Sequence, residues 1–325
     1  MNSLELFKTQ KFYQIDISIL KDLGYDVLLS NRIFDSLLFW KYDILFSYFY
    51  RYSFFAALLA KCFGKKTYFT GGIDSLDSDY ASAFNYKIQA LFFKLCYWVA
   101  DSCIIVSQSD LKNIFKVSSL KKKLSYSEHV INTKLFIADV PKEKIFTSIV
   151  WMGDEGNVVR KGVDKALQIF AELKKIPEFV DYRFVIIGRK GEGEVLVRSI
   201  IDKYNLKGSV ELKGEVSEED KINLLKQSKY YFQLSLYEGF GLAALEALCA
   251  NNIIIHSGKG GLANPIYKEQ LLFDIDNDFD SELLKLVNKL ACFTPITSYD
   301  NLLEYYDIQR RKDDFEAIIV NLSLI

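Results

Sequence analysis

Residues 230–256 read YYFQLSLYEGFGLAALEALCANNIIIH, and this stretch decides the fold. Tyr230–Leu234 is an apolar, aromatic-rich run of strand length, Leu242–Ala250 is made of strong helix formers, and Ile253–His256 is a second, β-branched run. Strand, helix and strand in so short a span make one βαβ unit, whose nearly continuous apolar strands predict a parallel sheet covered on both faces. The turn between the first strand and the helix carries the chemistry. Gly239 and Gly241 let the backbone approach a ligand closely, and the free amides of the following helix point into the turn, where phosphate is the natural guest. The helix dipole adds about 0.3–1 kcal/mol for an anion there.

Outward from this unit, strands are predicted at Thr147–Met152, Arg183–Ile187 and Val210–Leu212. Helices are predicted at Val163–Leu173, Val195–Tyr204 and Glu218–Gln227. The first half repeats the alternation, with strands at Asp26–Leu29, Ile44–Tyr48, Lys66–Thr70 and Cys103–Ser107 and helices at Ser53–Cys62, Tyr80–Val99 and Asp110–Lys116. A polar stretch at Ala138–Lys144, holding Pro141, separates the two series. The fold class expected is therefore α/β, with two Rossmann-like domains whose parallel sheets face a central cleft. The first domain spans residues 1–140 and the second 145–300. The C-terminal segment reads as helices at Ser281–Leu290 and Asn301–Val320, and residues 301–325 are expected to brace the first domain.

Composition narrows the function. The 325 residues carry 41 basic and 42 acidic side chains, half the chain is apolar, and only two histidines occur, His129 and His256. No overall positive field draws in nucleic acid, and two histidines leave little room for a multi-histidine metal site. The five cysteines are odd in number and widely spaced, so they read as small buried hydrophobes in a reducing cytosol. The N-terminus lacks the pattern of a secretory signal, and no apolar run is long enough to span a membrane; Ala90–Ser107 is interrupted by Lys94 and Asp101. Residues 1–147 hold 19 basic and 14 acidic residues and 29 of the 48 aromatics. A basic, aromatic half of this kind suits peripheral contact with an anionic membrane surface as well as an ordinary core.

Two carboxylates beside a phosphate site make sense if they serve hydroxyls. Glu238 lies in the turn and Glu246 just over one turn into the helix, placed to grip hydroxyls on either side of a phosphate; a charged hydrogen bond contributes about 1.5–3 kcal/mol. The segment closely resembles the E-x7-E signature of family 4 of the retaining nucleotide-sugar glycosyltransferases, which have the GT-B fold. Supporting pieces follow in the family's order: His129-Val-Ile-Asn132-Thr133 with Phe136, then Val150-Trp-Met-Gly153, Arg160-Lys161-Gly162, Val185-Ile-Ile-Gly188, and Val210-Glu-Leu-Lys-Gly214. The resemblance covers about residues 129–275 in motif and the first half in layout.

It implies that Glu246 holds the ribose of the donor nucleotide and Glu238 the transferred sugar. Gly239, Phe240, Gly241 and Leu242 lie along sugar and diphosphate, with Gly188, Arg189 and Gly214 nearby. Lys161, with Arg160, neutralises the departing diphosphate. The sequence departs from the family at Asp154, where an arginine is usual, and at the short N-terminus, where Ser3–Phe7 reads either as a degenerate first strand or as part of a rebuilt acceptor region ahead of the helix-like Thr9–Leu23. On the acceptor side stand Gly71, Gly72 and Asp74, after a strand, and Ser107. No phosphate-loop or dehydrogenase fingerprint occurs. The D-x-D pairs Asp77/Asp79 and Asp274/Asp276 lack the single-sheet context of a metal motif, so no metal and no cofactor beyond the donor are expected. The reading is a cytoplasmic glycosyltransferase, with a glycan or lipid-linked acceptor and no nucleic-acid partner. A GT-B sugar-nucleotide epimerase and a non-catalytic partner subunit are the alternatives.

Overall fold

The computed structural model describes residues 3–137, 140–293 and 300–320. Ala138 and Asp139, at the head of the expected linker, and residues 321–325 of the terminal segment lie outside them. Two compact units divide the chain: the residues up to Asn132 together with those from Glu304, and residues 133–303.

The first unit opens with helices α1 (Ser3–Thr9) and α2 (Lys11–Asp22). There follow β1 (Ile44–Tyr48), α3 (Tyr50–Cys62), β2 (Lys66–Thr70), α4 (Ala83–Val99), β3 (Ser102–Ile105), α5 (Gln108–Val117) and β4 (Leu124–Tyr126). The strands form one parallel sheet in the order β1-β2-β3-β4. Side chains alternate across it. Phe69, Cys103 and Ile105 pack with Phe54, Phe93, Cys96 and Ile114 from α3, α4 and α5. Tyr68 and Ile104 face the other way, onto Ile19 and Leu20 of α2. Ser3–Phe7 is helix rather than strand. Asp26–Leu29, expected as a strand, joins no ladder: Tyr25 and Val27 pack on the α2 cluster, Leu28 and Leu29 are exposed, and β1 is the sheet edge.

The second unit runs β5 (Glu143–Ile149), α6 (Glu155–Arg160), α7 (Val163–Leu173), β6 (Arg183–Ile187), α8 (Glu194–Lys203) and β7 (Val210–Gly214). It continues with α9 (Glu218–Gln227), β8 (Ser228–Gln233), α10 (Leu242–Cys249), β9 (Ile253–His256), β10 (Leu271–Leu272) and α11 (Phe279–Cys292). Its sheet is parallel, in the order β10-β9-β8-β5-β6-β7. Phe146, Phe184, Ile186 and Phe232 point into one layer with Leu167 and Phe170, while Ile145, Val185 and Ile187 point into the other with Leu224. The chain winds outward from β5 to β7 and then returns to β5's other side as β8. The topological switch point therefore lies between the carboxyl ends of β5 and β8, where ligands bind in open sheets of this kind.

The chain then returns to the first unit through α12 (Asp300–Tyr305), α13 (Ile308–Phe315) and a π-helical turn, Glu316–Val320. The single helix expected over Asn301–Val320 is broken because Asp307, paired with Ile131, caps α13 by accepting from Gln309 N at 3.0 Å. Arg311, wholly buried, donates to both Asp16 carboxylate oxygens (2.7 and 2.9 Å) and to the Ser127 carbonyl (2.6 Å). Cys96, Cys103 and Cys249 are buried, but Cys62 and Cys292, expected as buried hydrophobes, end helices at the surface.

Candidate active site

The loops at the switch point are bound to each other through main chain. After β5 the chain runs Val150–Gly153, and Asp154 caps α6 by accepting from Asn157 N. Asp154, where the resemblance implies an arginine, is thus a helix cap. Lys161 closes α6 and Gly162 turns the chain into α7 with φ +69°. A Cβ on Gly162 would lie 2.0 Å from the Leu234 carbonyl oxygen, and Leu236 N donates to the Arg160 carbonyl at 2.8 Å. Glycine is required there because the post-β5 and post-β8 loops run in contact.

That contact delivers Lys161 to Glu238. The ammonium lies 2.5 Å from Oε1, and both side chains are largely buried. The same oxygen accepts from Gln233 Nε2 (2.8 Å) and Ser235 Oγ (2.7 Å). Gln233 in turn accepts from the Tyr231 hydroxyl at 3.1 Å. Burial pushes the Tyr231 hydroxyl well above the usual phenol range, and the Glu238 and Glu246 charges push it further, so it stays a proton donor. Glu238 is therefore held in one orientation by three donors.

Beyond it, Gly239 is half-buried, Phe240 is buried, and Gly241 takes φ +88° as the residue before α10, which Leu242 begins. A second loop seals this turn: Gly261 N donates to the Glu238 carbonyl at 2.6 Å, and a Cβ on Gly260 would meet that carbonyl at 2.2 Å. Glu246 is buried on α10, and both its oxygens accept from Lys221 of α9, at 2.7 and 2.6 Å. Lys221 also lies 5.9 Å from the centre of the Phe136 ring. Gly188 N donates to the Gly214 carbonyl, and Met152 N to the Arg189 carbonyl, so these residues gather at the same carboxyl edge of the sheet. The Arg189 side chain is exposed, and Arg160 donates to Asn157 Oδ1 at 2.7 Å.

The acceptor-side residues lie in the first unit. Gly71, at φ +104°, packs against Phe49, and Gly72 follows it half-buried. Ile73 N donates to Asp110 Oδ1 at 3.3 Å, while Asp74 is exposed at the head of a 3-10 turn. Ser107 caps α5, accepting from Asp110 N at 3.1 Å. Asp110 is fully buried, and burial followed by the nearby Asp74 charge pushes its carboxyl up to about 7.

Sequence reasoning missed Gln233, Lys221 and the Gly260–Gly261 loop. Gln233 had a signal, a lone amide inside an apolar strand five residues before Glu238. The glycine pair after the Ile253–His256 run had one too. Lys221 had none, because only the fold brings α9 against α10.

Residues 156–290 match the family model of glycosyl transferases group 1. The GDP-mannose:cellobiosyl-diphosphopolyprenol alpha-mannosyltransferase of Xanthomonas oryzae pv. oryzae is 32% identical over 163 residues, covering 44% of this chain and 40% of that enzyme. The chain thus spans less than half the length of this relative. Among solved structures, the trehalose-6-phosphate synthase OtsA superimposes with a TM-score of 0.70 at 14% identity, covering all of this chain and 85% of the other. HepE of Anabaena, solved with UDP-glucose, gives 0.69 at 13% identity over 95% and 89%. The chain has the GT-B fold, and within it residues 156–290 are similar to the glycosyl transferases group 1 family.

Proposed function

We propose that this chain is a retaining glycosyltransferase that moves a sugar from a nucleotide-diphosphate donor to a hydroxyl of a glycan or lipid-linked acceptor. The observation that carries the reading is the Lys161–Glu238 pair at the switch point, beside a glycine turn that opens a helix. The names of the comparators agree with it: a mannosyltransferase acting on a diphosphopolyprenol glycan, and a GT-B protein solved with a nucleotide sugar.

In this reading the bond between the anomeric carbon and the diphosphate oxygen breaks, and its electron pair leaves with the diphosphate. The α10 amides and Lys161, with Arg160 nearby, hold the charge that develops, commonly the largest catalytic term. Glu238, locked by Gln233 and Ser235, accepts from the sugar hydroxyls, and Glu246 from the ribose. The acceptor oxygen bonds to the same face of the sugar, and its proton passes to the departing phosphate oxygen. This keeps the anomeric configuration and needs no protein nucleophile. Asp74 accepts a hydroxyl of the acceptor, which Gly71, Gly72 and Ser107 help to seat. No metal or further cofactor enters the step.

Transfer or hydrolysis assayed with a panel of nucleotide sugars tests this. Lys161→Ala and Glu238→Ala should each lower kcat/KM by about 100- to 1000-fold. Unchanged turnover in both variants, or an inverted product, sinks the assignment. Turnover of the donor to its epimer, with no acceptor present, would transfer the site to the epimerase alternative.

A further inference from the structure

The outer face of the first unit carries an unpartnered aromatic stripe. Strands β1 to β4 are parallel and lie in sequential order, so right-handed crossovers put α3, α4 and α5 in one layer on one face of the sheet. Their inner sides share one core. On the outer side of α4, Phe84, Leu91 and Trp98 are 71%, 55% and 72% exposed. They recur every seven residues, so they line a single stripe two turns apart. Exposed Lys87 and Lys94 alternate with them. Beside α4, Tyr52 and Phe55 of α3 are also exposed, joined to it through the Phe54–Phe92 ring contact. A contiguous apolar surface of this kind on a globular unit marks a docking site.

Charge identifies the occupant. Residues 83–123 hold seven lysines and two acids, Asp101 and Asp110. Asp101 is taken by Lys61 at 2.9 Å, and Asp110 is buried. Lys112, Lys116, Lys121 and Lys122 are exposed, Lys121 lies 4.9 Å from the Phe115 ring centre, and Lys123 reaches the Trp98 carbonyl at 3.0 Å. The basic loop thus borders the Trp98 end of the stripe. Lysines alternating with tryptophan, phenylalanine and leucine on one helix face are the composition of a helix lying in a membrane interface, its rings at headgroup depth and its ammoniums on lipid phosphates. Among the described residues no helix is long and apolar enough to cross a membrane.

We propose that the α3–α4–α5 layer docks the chain onto an anionic phospholipid surface, with α4 lying in the interface. The docking needs no donor or sugar transfer, so it stands or falls apart from the proposed function. The test is co-sedimentation of the full chain with phosphatidylcholine vesicles, with and without phosphatidylglycerol. Wild type should bind the anionic vesicles and lose affinity in high salt. The pair Leu91→Ser, Trp98→Ser and, separately, the pair Lys87→Glu, Lys94→Glu should each weaken binding by about tenfold or more. Both pairs alter exposed side chains, and an unchanged melting midpoint establishes that they fold. In a chain carrying Trp40→Phe and Trp151→Phe, Trp98 emission should shift to the blue on vesicles and be quenched by brominated lipid. No binding to anionic vesicles, binding indifferent to both pairs, or a dimer abolished by Trp98→Ser in place of lipid binding overturns the proposal.

Discussion

Gly162 fails to accept a side chain for two separate reasons. Its φ of +69° disfavours any Cβ, and the space a Cβ would fill holds the Leu234 carbonyl. The first costs about 1–2 kcal/mol; the second forces apart the two loops that bring Lys161 to Glu238. Gly162→Ala should therefore lower both stability and donor affinity, read by melting and by titration with a nucleoside diphosphate. Loss of stability with unchanged affinity would mean that the loops are not coupled through this glycine. Asp110 gives a pH-dependent counterpart. Its carboxyl titrates near 7 in the fold, against about 3.9 in an unfolded chain. A raised acid holds its stabilising contribution below its unfolded value and loses it as pH rises through the folded one. Between pH 4 and 8 the first unit should thus lose stability from this residue, and Asp110→Asn should flatten that part of the curve. A variant whose slope matched wild type would show that Asp110 is ionised without penalty.

Elements whose hydrophobic pattern is self-sufficient were legible. α7, β6, α9 and β9 fall on the residues expected, because each has one strong period and a clear stop. Legibility failed where tertiary partners decide the state. Val27 and Leu28 have strand composition, yet Val27 packs on the α2 cluster, Leu28 is exposed, and neither joins the open edge of β1. Tyr306 and Asp307 interrupt a helical pattern because Ile131 bonds the Tyr306 carbonyl through its amide. The same return of the chain buries Arg311 against Asp16, two residues far apart in sequence that no local pattern links. In the site, the acids and the turn were readable and their partners only partly so, since Lys221 meets Glu246 through packing alone. Removing one partner of a buried pair costs about 3–5 kcal/mol because the other charge is left stranded. Arg311→Met should lose that much in denaturant titration, and adding Asp16→Leu should recover part of it. If the double variant is no better than the single, the arginine's bonds to Ser127 and Glu128 matter more than the ion pair.

At the scale of the whole molecule, the hydrophobic clusters that cover the two sheets belong to separate units, and the first unit is built from two separate stretches of the chain. The residues proposed to hold the donor lie in the second unit, while Arg311 braces the first. A ligand at 100 times its dissociation constant adds about 2.7 kcal/mol to the state that binds it. Calorimetry of Arg311→Met should therefore resolve two transitions, the earlier one belonging to the weakened first unit. A nucleoside diphosphate should raise the later transition and leave the earlier one in place. Because each unit buries its own sheet and helices, weakening one need not unfold the other, and the separation of the two midpoints measures that independence. If the nucleotide instead raised the earlier transition, the donor site would have to include residues of the first unit, and assigning the nucleotide to the β5–β8 switch point alone would be wrong.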